Sequence, residues 1–290
     1  MQIVAPRRIA SNFQGYTSLI GIYKELRQAN SGEKVILDFA NTSWIDANLL
    51  AVMGAMFDKV ASSNQVELIN INSNFESLWQ RNSFLMNFGG GKIYDRQRTT
   101  ISYNCFDKKA TRAFERYLET ELLANVNLPT MSVVLKREIK KSILEIFVNA
   151  EMHGRALSVF TCGQHYPSTK RLDFTVVDVG RTIRRNVRNF LNKDVSSTDA
   201  IKWAVTEGNT TKKCPIPGGL GLSLIRQFLK KNNGSIQIVS SYGFWEENSD
   251  KETIISFDDI FPGTIVNLEF NLADTSRYYL ASEPEEEIVF

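Results

Sequence analysis

Three polar residues, Glu145, Asn149 and His153, recur every four positions in the run Glu145-Ile-Phe-Val-Asn149-Ala-Glu-Met-His153-Gly154. On a helix that spacing sets an acid, an amide and an imidazole in one row. From Ser132 to His153 the apolar residues Ile139, Ile143, Ile146, Phe147 and Ala150 share an arc beside the row, so the segment is predicted to be a helix that packs on a sheet. An amide oxygen one turn from a carboxylate suits Mg²⁺, which takes one or two protein oxygens and completes its shell with phosphate and water. The carboxylate is then left to act as a base. A solvated polar stripe has the same spacing, so the row gains meaning only with other motifs.

Three further blocks follow. Leu172-Asp-Phe-Thr-Val-Val177 has the β-branched and aromatic character of a buried strand and runs into Asp178-Val-Gly180-Arg-Thr-Ile183. An acid at a strand end accepts a hydrogen bond from an exocyclic amine, and a nearby glycine lets a flat ring approach the backbone; a simple turn acid is the alternative. Pro217-Gly218-Gly219-Leu220-Gly221-Leu222 is a glycine-rich loop opening an amphipathic helix, an arrangement whose free N–H groups hold phosphate oxygens. Pro262-Gly263-Thr264 through Phe270 is predicted to be a glycine turn leading into an alternating strand.

In this order and at these separations the blocks resemble the Bergerat-fold ATPases, the superfamily of gyrase, heat-shock chaperones, histidine kinases and mismatch-repair ATPases. The resemblance spans roughly Thr99 to Leu272 and implies an α/β (α+β) sandwich, a mixed sheet covered by helices, that binds ATP and Mg²⁺. It makes Glu145 the catalytic base, Asn149 the magnesium ligand, and His153 part of the same box. Asp178 becomes the adenine-binding acid, Gly180 its following glycine, Gly218, Gly219 and Gly221 the second glycine box, and Thr264 the threonine near adenine. Ile183, Leu220 and Leu222 belong to the same nucleotide-contacting boxes. Glu207 to Pro217 lies where the family carries a mobile lid, with Thr210, Thr211 and Lys212 able to approach phosphate; a solvated surface loop is the alternative. The family's second glycine after the adenine acid is absent, since position 182 is Thr.

The N-terminal third has its own organisation. Lys34 to Phe39 is a strand run, Trp44 to Phe57 opens with Asp46 and continues at helical spacing, and Val66 to Ile71 is another strand. This β-α-β order predicts parallel strands with a right-handed crossover. From roughly Ile3 to Ile93 the chain resembles a STAS domain, the small α/β fold of anti-sigma-factor antagonists. That family's phosphorylated serine falls at Asn48, which has no hydroxyl, and Thr42 and Ser43 are the nearby hydroxyls. Gly89-Gly-Gly91 and the polar run Arg96 to Thr100 mark a boundary, giving a STAS-like domain over 1–95, a histidine-kinase-like ATP-binding domain over 96–275 and an acidic tail over 276–290.

Composition narrows the setting. With 290 residues, 43% hydrophobic and 23% charged, the chain has a globular balance and length for two domains. A net charge of +2 gives no reason to expect nucleic acid, and the cluster Arg181, Arg184, Arg185, Arg188 fits a solvated helix face. No apolar run reaches the roughly 18 residues of a membrane helix, the N-terminus lacks a signal-like stretch, and Cys105, Cys162 and Cys214 fit reduced thiols, so a cytoplasmic protein is expected.

Among ATP users, a lysine from a following domain is not expected after Phe270, and no histidine lies between Arg96 and Ser132 to accept phosphate. What remains resembles the anti-sigma-factor serine kinases. The expected activity is slow ATP hydrolysis or phosphoryl transfer to a protein partner, for example a separate STAS-like protein. The alternative is a non-catalytic switch in which ATP governs partner binding; a homodimer stays open.

Overall fold

In the first third, short β-branched runs alternate with apolar helices, and they fold as the β-α-β pattern requires. The N-terminal unit runs β1 (Gln2–Val4), β2 (Arg8–Ile9), α1 (Phe13–Leu26), β3 (Lys34–Asp38), β4 (Trp44–Ile45), α2 (Leu50–Ala61), β5 (Gln65–Ile69) and α3 (Ser73–Arg81). Strands β1, β3 and β5 form a parallel sheet in that order, with Ile36 opposite both Gln2 and Glu67. The computed structural model describes residues 1–154, 157–211, 220–249, 251–284 and 288–290, leaving out the side chains of residues 153, 154, 220 and 221.

The remainder runs β6 (Thr100–Asp107), α4 (Thr111–Tyr117), β7 (Thr130–Met131), α5 (Val133–Asn149), β8 (Ser158–Tyr166), β9 (Arg171–Asp178), α6 (Ile183–Leu191), α7 (Ser197–Val205), α8 (Leu220–Lys231), β10 (Ser235–Asn248), β11 (Glu252–Asn271) and β12 (Arg277–Tyr278). Its five-stranded sheet has the order β10-β11-β9-β8-β6, and every neighbouring pair is antiparallel. The expected mixed sheet is therefore corrected to an antiparallel one. The loops joining β8 to β9 and β10 to β11 are too short for a parallel crossover, which needs a dozen or more residues.

The sheet is covered on both faces. Val176, Ile238 and Leu268 pack with Ile139 and Phe147 of α5 and Phe228 of α8, whereas Val177, Val239 and Ile265 share a second core with α1 and α2. From Leu172 to Asp178 every residue of β9 is buried, as two covered faces demand. The N-terminal unit therefore lies directly against the face of the sheet opposite α5.

Two local features hold the elements that matter most. Ser132 caps α5, its hydroxyl oxygen accepting from the Leu135 amide at 3.1 Å while donating to Glu283 Oε1 at 2.7 Å. Strand β12 pairs in parallel with β7, and Val133 N donates to the Val289 carbonyl, so this part of the C-terminal segment is docked on the helix start. The second feature corrects an expectation: Pro262 and Gly263 lie inside the long strand β11, not in a turn before it. The register slips across Ser240, Ser241 and Gly243 on the facing strand, with Ser241 at φ +58°, and a proline without an N–H fits such an irregularity.

Among the described residues no helix is long and apolar enough to cross a membrane.

Candidate functional site

Asp178 is the last residue of β9, paired with Thr264 of β11 and Val159 of β8. Alternation along the strand turns Val176 and Asp178 toward the α5 side. Asp178 is 5% exposed, and its Oδ1 has no hydrogen-bond partner. Burial pushes its carboxyl up to about 8. An unpaired polar atom in such a position is costly unless a ligand completes it.

Gly263 makes room beside this acid by packing directly on the Asp178 backbone. Ser240, fully buried on β10, fastens the surroundings. Its hydroxyl donates to the Gly263 carbonyl at 2.7 Å, accepts from the Ile183 amide at 2.9 Å and lies 3.2 Å from Thr264 Oγ1. One side chain thus ties the start of α6 to β11.

Above the sheet, α5 presents Glu145 and Asn149, both half-buried, as its amphipathic pattern predicts. The helix then continues as a π-helical turn over Ala150–Gly154, a form that recurs at functional sites. Glu145, Asn149, Asp178, Ile183, Thr210, Thr211, Leu222 and Thr264 all line one cavity, whose empty space is about 1060 Å³ counting its open mouth. Val176, Val187, Ile238 and Val266 give it an apolar wall.

Gly180 is not among the lining residues. Two residues on, Thr182 occupies the position of the absent glycine and caps α6, its hydroxyl oxygen accepting from the Arg185 amide. The Lys212, Gly218 and Gly219 assignments lie outside the described residues, as do those resting on the side chains of His153, Leu220 and Gly221; the backbones at 220 and 221 form the first turn of α8.

The lining also includes residues the sequence does not single out: Ser142, Asn186, Trp203 and Asn209. Trp203 is braced by Phe190, with ring centroids 5.7 Å apart, and by Asn209, whose amide donates to the Trp203 carbonyl at 2.9 Å. Arg181 corrects its grouping with a solvated helix face, because it precedes α6 and lines the cavity. Only its place three residues after Asp178 could have pointed to it.

A second polar group lies where the N-terminal unit meets the sheet. Arg171 reaches both carboxylate oxygens of buried Asp46 at 3.2 Å, with Glu269 at 3.6 Å. Asp173, fully buried, has Oδ2 3.4 Å from Arg171, and neither of its oxygens accepts a hydrogen bond. Burial first, and then the Glu269 and Asp46 charges, push the Asp173 carboxyl well above the usual carboxylate range against the opposing pull of Arg171. In the nearby turn the Thr42 and Ser43 hydroxyls donate at 3.0 Å to the carbonyls of Pro6 and Arg7, which satisfies backbone groups.

A comparison of the chain with protein-family models gives no match, and neither does a comparison with curated proteins.

Proposed function

We propose that the protein binds Mg-ATP in the cavity between α5 and the sheet and uses it to regulate a protein partner. The observation that carries this reading is Asp178: a buried, unpartnered carboxylate oxygen in the same cavity as Glu145 and Asn149. A carboxylate accepts from an exocyclic amine, the apolar wall suits a flat heteroaromatic ring, and the carboxamide of Asn149 suits a hard cation. The placement of α5, with Glu145 and Asn149, across the sheet from Asp178, together with the four motif blocks, supports a Bergerat-type fold whose sheet departs from the implied mixed one.

Asp178 and Thr264 would hold the base. Asn149 would hold Mg²⁺, which when bound neutralises phosphate charge, and Thr210 and Thr211 border the same space. Glu145 would act as the base: it would take the proton from an acceptor hydroxyl as that oxygen bonds to the terminal phosphorus, with the bond to the bridging oxygen breaking to release ADP. With water as acceptor the same step is hydrolysis. The N-terminal unit, STAS-like in its β-α-β order, would be a docking module rather than a phosphate acceptor, because Asn48 is fully buried and Thr42 and Ser43 are hydrogen-bonded to backbone. The acceptor of a kinase activity is then a separate protein. The second reading is a non-catalytic switch in which nucleotide governs partner capture, favoured by the direct hydrogen bonds from the N-terminal unit to the strands under the cavity.

Incubation of the purified chain with γ-labelled ATP, Mg²⁺ and a native-cell extract tests the reading. Label released as phosphate or transferred to protein supports the enzyme; saturable ATP binding with neither supports the switch; no binding overturns both.

A further inference from the structure

The cavity and the N-terminal unit sit on opposite faces of the same two strands. On β9, Val176 and Asp178 face the cavity while Thr175 lies on the other side; on β11, Thr264 and Val266 face the cavity and Asn267 alternates with them. Thr175 and Asn267 are directly paired in the register, one rung from Val176 and Val266 and three from Asp178 and Thr264. Both are buried, and the Thr175 hydroxyl donates to Asn267 Oδ1 at 2.8 Å.

One side chain of the N-terminal unit closes that pair. Asn48, fully buried in the 3₁₀ turn Ala47–Leu49 before α2, directs its amide nitrogen at Thr175 Oγ1 and Asn267 Oδ1, each at 3.0 Å, and at Ser11 Oγ at 2.9 Å. Its carbonyl oxygen has the hydroxyls of Ser11 and Tyr166 at 3.4 Å. The network continues from Asn267 to Gln237 on β10 and from Gln237 to Tyr16 on α1. Buried polar networks of this kind fix one arrangement of the strands they join, because every lost partner leaves another group unsatisfied.

We propose that Asn48 is a positioning residue for the nucleotide site, acting through Thr175 and Asn267 to set the spacing of β9 and β11 from the face opposite the ligand. The ligand named rests on the Mg-ATP reading; the positioning does not. By linkage, a ligand that needs this strand arrangement also stabilises docking of the N-terminal unit. The position where a hydroxyl would accept phosphate in the resembled family thus carries an amide that joins the two units.

Hydrogen exchange and calorimetry on the full chain separate the possibilities. Asn48→Ala and the milder Asn48→Ser are compared with Phe13→Ala, which removes a ring stacked on Phe257 at 4.7 Å in the same boundary without removing any hydrogen bond to Thr175 or Asn267. Without nucleotide, both Asn48 variants should speed amide exchange in 174–178 and 264–268 by about tenfold or more relative to Phe13→Ala, a coupling within the usual range between linked sites. Exchange there that matches the Phe13→Ala variant overturns the inference whatever the ligand is. With Mg-ATP, the Asn48 variants should lose about tenfold in affinity and Phe13→Ala should not; equal losses make Asn48 merely structural. Failure of the unmutated chain to bind Mg-ATP, with exchange still altered, sinks the ligand assignment and leaves the positioning role standing.

Discussion

A methyl group added at Gly263 would fall 1.9 Å from the carbonyl oxygen of Asp178. The acid's backbone therefore has its place only because residue 263 has no side chain. Gly263→Ala must push β11 away from β9 at the point where Thr264 faces the cavity. We expect a loss of about 1–3 kcal/mol or more in urea unfolding, as for overpacked cores, together with weakened nucleotide binding. Full stability and affinity in this variant would show that the strands tolerate the shift.

The α5 row yields a paired prediction. Asn149→Ala should abolish the magnesium dependence of nucleotide affinity, whereas Glu145→Ala should spare binding and slow turnover or transfer by about 10²-fold or more, the usual contribution of a positioned base. Calorimetry with and without Mg²⁺ and single-turnover assays read the two effects separately. A fully active Glu145→Ala chain would make Glu145 a surface acid.

Asp178 predicts a pH dependence. In the free protein burial holds its carboxyl up to about 8, and an amine donor requires the ionised form. Binding near neutral pH should release close to one proton, and affinity should fall about tenfold per pH unit as pH drops below that value. The stability of the free protein should follow the opposite trend: a carboxyl raised on folding lends stability below its unfolded value of about 4 that is lost as pH rises to about 8. Titrations in buffers of different ionisation heat measure the proton directly, and no exchange would exclude the ionised-acid mode.

The Arg171 cluster predicts the stability of the boundary between the units. Arg171→Ala removes the cation from among Asp46, Asp173 and Glu269 and should cost about 3 kcal/mol, as breaking buried pairs does. Burial also raises the Glu269 carboxyl, so both Asp173 and Glu269 favour folding while protonated, below the unfolded value of about 4, and that contribution is lost as pH rises. The variant should therefore lose more stability as pH rises above the unfolded carboxyl value of about 4, read by urea unfolding over a series of pH values. A loss unchanged across the whole series would place the carboxylates in water.

What the sequence reveals depends on range. The α5 stripe, the β9 run and the parallel β3–β5 pair are legible because each is a local periodicity of 3.6 or 2. Ser240 and Trp203 are not, since they reach the site from β10 and α7 and nothing in their own segments marks them. The Pro262-Gly263 pair reads as a turn because the slip that accommodates it lies on the facing strand, at Ser240–Ser241. The contacts of Asn48 with Thr175 and Asn267 cross 127 and 219 residues of chain, beyond any pattern in a window.

On the proposed reading Asp178 selects an adenine nucleotide. Calorimetric titration of the unmutated chain and of Asp178→Asn with Mg-ATP and Mg-GTP measures that selection. Single-site binding is expected, with a preference for ATP of at least about tenfold in the unmutated chain and loss of most of that preference in the variant, where an amide can turn its own donor toward the base. Equal affinity for the two nucleotides in the unmutated chain, or a preference that survives in Asp178→Asn, would contradict it.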